Sequence, residues 1–257
     1  MIGQHGFSAL HIGRPLYIPG WGGPVFKTSV VSSRTLTPTT HGITVKKPDG
    51  FSFHPVQFTF LALETVDGWV VRPMSLASSP TRPYLEYGVR ISESSFKRCF
   101  VSLRAGDRVG LQGPFGDFVL DEHRPAVFLA GGIGITPLKG MAEYAGDMRL
   151  QIPVRLLYSN RTEDEIVYRA ELEELERRNP KFEVLHTLTG EKVSEEWAGA
   201  RGRFSQDFLH KAVEGLNRPI YYLCGKPSMV SAVFDLLLRM GAPEEDIKIE
   251  VFRGYWS

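Results

Sequence analysis

Three short stretches of this sequence carry groups that could hold charged or redox-active ligands. Arg72-Pro73-Met74-Ser75 closes a predicted strand with a fixed cation and a hydroxyl. A guanidinium can fork onto a phosphate, and a serine hydroxyl or its N–H can hydrogen-bond the edge of a flavin ring. Gly131-Gly132-Ile133-Gly134-Ile135-Thr136-Pro137 follows the continuous apolar run Ala126–Ala130 and opens a helical stretch reaching about Tyr144. Backbone N–H groups and a helix N-terminus in such a turn can hold a pyrophosphate, although the glycine spacing is not GxGxxG. Cys224-Gly225-Lys226-Pro227-Ser228-Met229 is a second strand end turning into a helix. In an open parallel sheet ligands gather at the carboxyl ends of strands, so the two glycine-bearing ends reinforce each other. Each stretch taken alone also reads as ordinary structure: a tight turn, a small buried thiol, a surface ion pair at Arg72.

Other chemistries find less support. Asp117, Glu122, His123 and His186 show no metal-ligand spacing such as HxxxH, and no Ser–His–Asp order stands out, so no metal site is expected. The 7 histidines are scattered. With 2 cysteines, Cys99 and Cys224, the chain lacks the roughly four thiolates of an iron–sulfur cluster and any disulfide framework. Lys plus Arg (30) balances Asp plus Glu (29), so no global field draws the protein to nucleic acid or lipid. No apolar run approaches the roughly 18 residues of a membrane span. Met1–Gly23 lacks the order of a signal peptide, and the expected location is cytoplasmic.

Two kinds of element must position these groups. Val25–Arg34, Gly42–Lys47, Val56–Leu63, Trp69–Ser75, Tyr84–Ile91 and Arg108–Gln112 are rich in β-branched and aromatic residues and separated by turns such as Lys47-Pro48-Asp49-Gly50. Their spacing predicts an antiparallel barrel, with one short helix near Phe96–Leu103. After Asp121-Glu122-His123-Arg124-Pro125 the rhythm changes. Strands at Ala126–Ala130, Val154–Tyr158, Phe182–Thr187, Ile220–Cys224 and Ile247–Phe252 alternate with helices at Asp164–Arg177, Ser205–Val213 and Ser228–Met240. That alternation predicts a doubly wound parallel sheet. Glu165, Glu171, Glu173, Glu174 and Glu176 are expected on a solvated helix face. The expected division is an N-terminal extension (1–24), a barrel (25–122) and an α/β domain (123–257).

In their order, with Gly106-Asp107 through Gly113-Pro114-Phe115-Gly116 after the first and an aromatic C-terminus after the last, these motifs resemble the ferredoxin–NADP reductase superfamily, particularly members without a fused iron–sulfur domain. The resemblance runs from about Val25 to Trp256. It implies a flavin-binding barrel followed by a nucleotide-binding sheet, FAD as cofactor, and NADP or NAD as substrate nucleotide. It implies hydride exchange between that nucleotide and flavin N5, and single-electron exchange with ferredoxin or another one-electron carrier protein. By position, Arg72 contacts the flavin diphosphate and Ser75 lies near N5, with Pro73, Met74 and Val89 among the flavin-site residues. Lys97 and Arg98 stand at the pyrophosphate-binding helix. Gly131, Gly132, Gly134 and Thr136 cradle the nucleotide, and Cys224 and Gly225 approach the nicotinamide. Tyr255, ahead of Trp256, covers the flavin face. Ser75, Cys224 and Tyr255 are the catalytic set, and no general acid–base pair is required.

Several positions depart from the family pattern. Met74 replaces an aromatic residue, so ring stacking gives way to thioether packing. Pro55-Val56-Gln57 replaces Pro-Gly-Gln, and Lys226 replaces a second proline. Lys97 falls where a small Ser or Thr caps the pyrophosphate helix, offering charge without cap geometry. Arg161 and Arg203 stand where NADPH-using relatives hold the 2′-phosphate, while His186-Thr187-Leu188-Thr189-Gly190 lacks their Ser-Arg, leaving both nucleotides open. Rival readings are the reductase component of an oxygenase, a free-flavin reductase, or a non-catalytic flavin-binding subunit or sensor.

Overall fold

In a computed structural model, residues 25–55, 57–65, 68–191 and 193–251 are described. The first six strands are β1 (Phe26–Thr37), β2 (Thr40–Lys46), β3 (Phe58–Thr65), β4 (Gly68–Ser75), β5 (Tyr84–Arg90) and β6 (Arg108–Phe115). They pair antiparallel in the order β4-β3-β6-β1-β2-β5. Their inward residues, including Val30, Ile43, Leu61, Leu85 and Leu111, enclose one apolar core. Helix α1 (Ser95–Ser102) adds Phe96 and Phe100 to it. Strand β5 is buried along both faces. Leu85, Tyr87 and Val89 face the barrel core, which leaves Glu86 and Gly88 for the neighbouring layer.

The second sheet contains β7 (Ala126–Gly131), β8 (Val154–Asn160), β9 (Phe182–Leu188), β10 (Ala200–Arg201), β11 (Ile220–Gly225) and β12 (Ile247–Val251). All its pairings are parallel, in the order β10-β9-β8-β7-β11-β12. Helices α2 (Ile135–Asp147), α3 (Arg169–Arg178), α4 (Gln206–Val213) and α5 (Pro227–Arg239) link the strands. The apolar run of β7 serves both faces: Ala126, Phe128 and Ala130 enter one core, while Val127 and Leu129 enter the other. Strand order reverses between β7 and β11, so their carboxyl ends flank the switch-point crevice where such sheets bind ligands.

The expected pattern holds with two local differences. The helix predicted from Asp164 begins only at Arg169. Ile166, Val167 and Tyr168 are all buried, and Tyr168 takes a left-handed conformation with φ 62°, which a right-handed helix running through from Asp164 could not contain. The short edge strand β10 has too few residues to show a period. Among the described residues no helix is long and apolar enough to cross a membrane.

Candidate functional site

The carboxyl ends of β7 and β11 meet through a glycine. A Cβ on Gly134 would lie 2.4 Å from the Cys224 carbonyl oxygen and 2.7 Å from the Gly225 Cα, so only glycine lets the turn reach the neighbouring strand end. Gly132 takes φ +52°, which bends the chain from strand into helix. This turn, Asn160, Arg161, Arg203, Lys226 and Met229 line an open cleft of about 460 Å³. Thr136 is not on its wall. Its hydroxyl donates to the Ile133 carbonyl at 3.1 Å and tightens the first turn of α2.

Behind the cleft wall, residues from opposite ends of the chain come together, and Ser75, Cys224 and Glu250 are not themselves cleft-lining. Ser75 closes β4, is 8% exposed, and donates its hydroxyl to Glu250 Oε1 at 2.5 Å. Glu250 lies on β12 in register with Cys224 of β11. Burial raises the Glu250 carboxyl to about 7, with the Ser75 hydrogen bond pulling back only in part. Its other oxygen, Oε2, is buried without a hydrogen-bond partner among the described residues. Burial, reinforced by the Glu250 carboxylate, pushes the Cys224 thiol well above its ordinary value, so the sulfur stays a neutral thiol. Strand ends thus set a hydroxyl, a carboxyl near its midpoint at neutral pH and a thiol beside the crevice.

The barrel side is more open. Arg72 is exposed on the edge strand β4, donates to the Val71 carbonyl at 2.7 Å, and meets no carboxylate among the described residues. Pro73 is exposed beside it, as an edge strand permits, and Met74 packs against the barrel core. Val89 is 5% exposed within that core. The helix cap differs from expectation: Ser94, not Lys97, caps α1 by accepting from the Lys97 N–H at 3.3 Å. Arg98 is exposed and pairs with Glu93 at 3.7 Å. Tyr255, Trp256 and Val56 lie outside the described residues.

Reading the sequence missed Glu250 and Ser94. A lone acid inside the apolar strand Ile247–Val251 was the available signal for Glu250, but only the register of β12 against β11 brings it to the crevice. The set-aside groups stay away from it. His123 is exposed, and His186 is packed between Tyr158 and Trp197, where burial lowers it to about 4.

Residues 128–235 match the family of oxidoreductase NAD-binding domains. The phenol 2-monooxygenase reductase component of Pseudomonas sp. (strain CF600) is 32% identical over 231 residues, covering 84% of this chain and 62% of that protein. The chain therefore spans about three fifths of that relative's length. Ferredoxin–NADP reductase B of Sorangium cellulosum is 29% identical over 237 residues, covering 88% of this chain and 96% of its own. A ferredoxin NADP⁺ reductase from Neisseria gonorrhoeae, solved with FAD and NADP, superposes with a TM-score of 0.75 at 21% identity, over 88% of this chain and 98% of that one.

Proposed function

Because this chain belongs to the ferredoxin–NADP reductase superfamily, we propose that it is an FAD-dependent reductase that takes hydride from NADH or NADPH and passes single electrons to a carrier protein. The observation that carries this reading is the Ser75–Glu250 hydrogen bond, which ties the end of a barrel strand to the switch-point crevice beside Cys224. The residues present suit both ligands. Arg72 offers a guanidinium without a carboxylate partner among the described residues, and the capped N-terminus of α1 offers N–H groups and the Lys97 charge to a diphosphate. The turn at Gly131–Gly134, with Arg161, Arg203 and Lys226 around the cleft, suits a dinucleotide. Bound FAD would supply the conversion between two-electron and one-electron chemistry.

This chain's own groups would orient and exclude water. Cys224 stays an uncharged thiol, fully buried beneath the strand end where a nicotinamide would approach, so it would back the ring without placing a charge there. Glu250, near its midpoint at neutral pH, can hold a proton on one carboxyl oxygen, and Ser75 Oγ bridges that carboxyl to the strand end. Met74 lends an apolar, polarizable surface in place of a stacked ring.

The reductase of an oxygenase system is a second reading, favoured by the 32% identity to the phenol 2-monooxygenase component. Anaerobic titration of the FAD-loaded protein with NADPH, and separately NADH, tests the main reading. Bleaching of the visible flavin band supports it and identifies the preferred nucleotide. A protein that takes up no flavin, or whose flavin neither nucleotide reduces, overturns it.

A further inference from the structure

Charge, rather than apolar packing alone, holds α2 against the barrel. Lys139 is 2% exposed. Its ammonium donates to Glu86 Oε2 on β5 at 2.8 Å, to Glu143 Oε1 one helical turn along at 3.0 Å, and to the Ala77 carbonyl at 3.2 Å. Those three acceptors use its full donor capacity. Arg34 of β1 reaches Glu86 at 3.2 Å and Glu171 of α3 at 2.6 Å. Arg82 lies 3.9 Å from Glu143 and 3.4 Å from Asp147. Anion and cation thus alternate from Glu171 on one side to Asp147 on the other, with Lys139 at the centre. Burial alone would lower the Lys139 ammonium, but Glu86 and Glu143 outweigh it and hold the group above its ordinary value.

Buried ion pairs are poor sources of stability, because desolvation offsets most of the attraction and apolar side chains of equal volume often do as well. What directional hydrogen bonds add is fixed geometry. These hydrogen bonds grip the segment just after Ser75: Ala77 accepts from Lys139, and the Ser79 N–H donates to Glu143 Oε2 at 3.0 Å. The approach is close, since a Cβ on Gly140 would lie 3.1 Å from the carbonyls of Leu76 and Ser78. The other end of this coupling is the turn Gly131–Thr136 at the head of α2. The geometry points to Lys139 as a positioning residue that locks this nucleotide turn to the strand end bearing Ser75. It thereby fixes how the nicotinamide meets the flavin, an inference that rests on the reductase reading.

The test uses the full FAD-loaded chain as wild type, Lys139→Met, and Lys139→Met/Glu86→Gln, the last removing the Glu86 charge together with that of its ammonium partner, and leaving Glu143 to Arg82 and the Ser79 N–H, if the single variant does not fold. Flavin reduction is followed anaerobically at saturating nucleotide, together with the long-wavelength charge-transfer absorbance of stacked nicotinamide and flavin. Amide exchange is measured with and without FAD. The folded, flavin-loaded variant is expected to reduce its flavin roughly tenfold to a hundredfold more slowly, since small misplacements of reacting groups carry costs of that order. Its charge-transfer band weakens, and exchange accelerates selectively at residues 76–79 and 131–140. Wild-type rate and band intensity in that variant would overturn the proposal, as would faster exchange spread evenly over both sheets. If wild-type flavin is reduced by neither nucleotide, the reductase reading falls. The exchange pattern then decides the lock alone: selective loosening supports it, and uniform loosening overturns it.

Discussion

The two halves of the crevice are built from different material. On the sheet side the contacts are backbone and space: Gly134 touches the end of β11 so closely that no side chain fits, and Cys224 is fully buried. On the barrel side they are exposed side chains, with Arg72 and Arg98 open to solvent and Lys97 half-buried. Backbone sites fail abruptly when a neighbour intrudes, because close-packed interiors do not give. Side-chain sites fail in steps, one hydrogen bond at a time. Departures from the expected pattern fall on both halves, at Met74 and Lys97 on the barrel and at Lys226 on the sheet, while the glycine turn that touches the end of β11 is kept.

Substitutions on each half should sharpen this contrast. The largest effect is expected from Gly134→Ala, whose methyl would meet the Cys224 carbonyl oxygen at 2.4 Å. It should cost about 3 kcal/mol, the upper part of the overpacking range, and abolish nucleotide binding. Urea unfolding and nucleotide titration check it, and a stable variant that still binds would break the comparison. Glu250→Gln comes next, through pH. The native carboxyl titrates near 7 against an ordinary 4.5, so its stabilising effect is full below 4.5 and is lost as pH rises through about 7. The swing amounts to roughly 3 kcal/mol at most. The variant's urea midpoint should therefore gain on wild type between pH 4 and pH 8, and an unchanging gap would remove the raised carboxyl. On the barrel side, Arg72→Ala should weaken FAD retention by about 1.5–3 kcal/mol, the worth of one charged hydrogen bond. Full flavin occupancy after dialysis would count against that role. The smallest effect belongs to Ser94→Ala, which deletes the α1 cap and should lower stability by about 1 kcal/mol. No change in unfolding midpoint would return the cap to solvent.

Much of this architecture was legible in the chain itself. The β-branched and aromatic content of Tyr84–Arg90, the unbroken apolar run Ala126–Ala130 and the glycines that follow it are local patterns, although the burial of Glu86 on the second face of β5 was not among them. They separate the antiparallel sheet from the parallel one and place two candidate turns at strand ends. The start of α3 was not legible. Its acidic residues satisfy a helical pattern from Asp164, whereas the burial of Tyr168 against Lys139, 4.8 Å from the ring centre, is a tertiary demand. Lys139 itself reads as one more polar residue on a helix, yet it is among the most deeply buried side chains.

What the sequence determined by itself, then, is the order of the two layers and the glycine turn, because each follows from neighbours a few residues apart. The tertiary structure alone decided that Ser75 meets Glu250 across 175 positions and that Lys139 meets Glu86 across 53. Those pairings depend on sheet order and helix seating, and no periodicity encodes which strand end comes to lie beside which. A carboxyl held near neutrality and an ammonium kept charged in the interior are properties of that assembled neighbourhood, since desolvation and fixed partners act only once distant segments have excluded water.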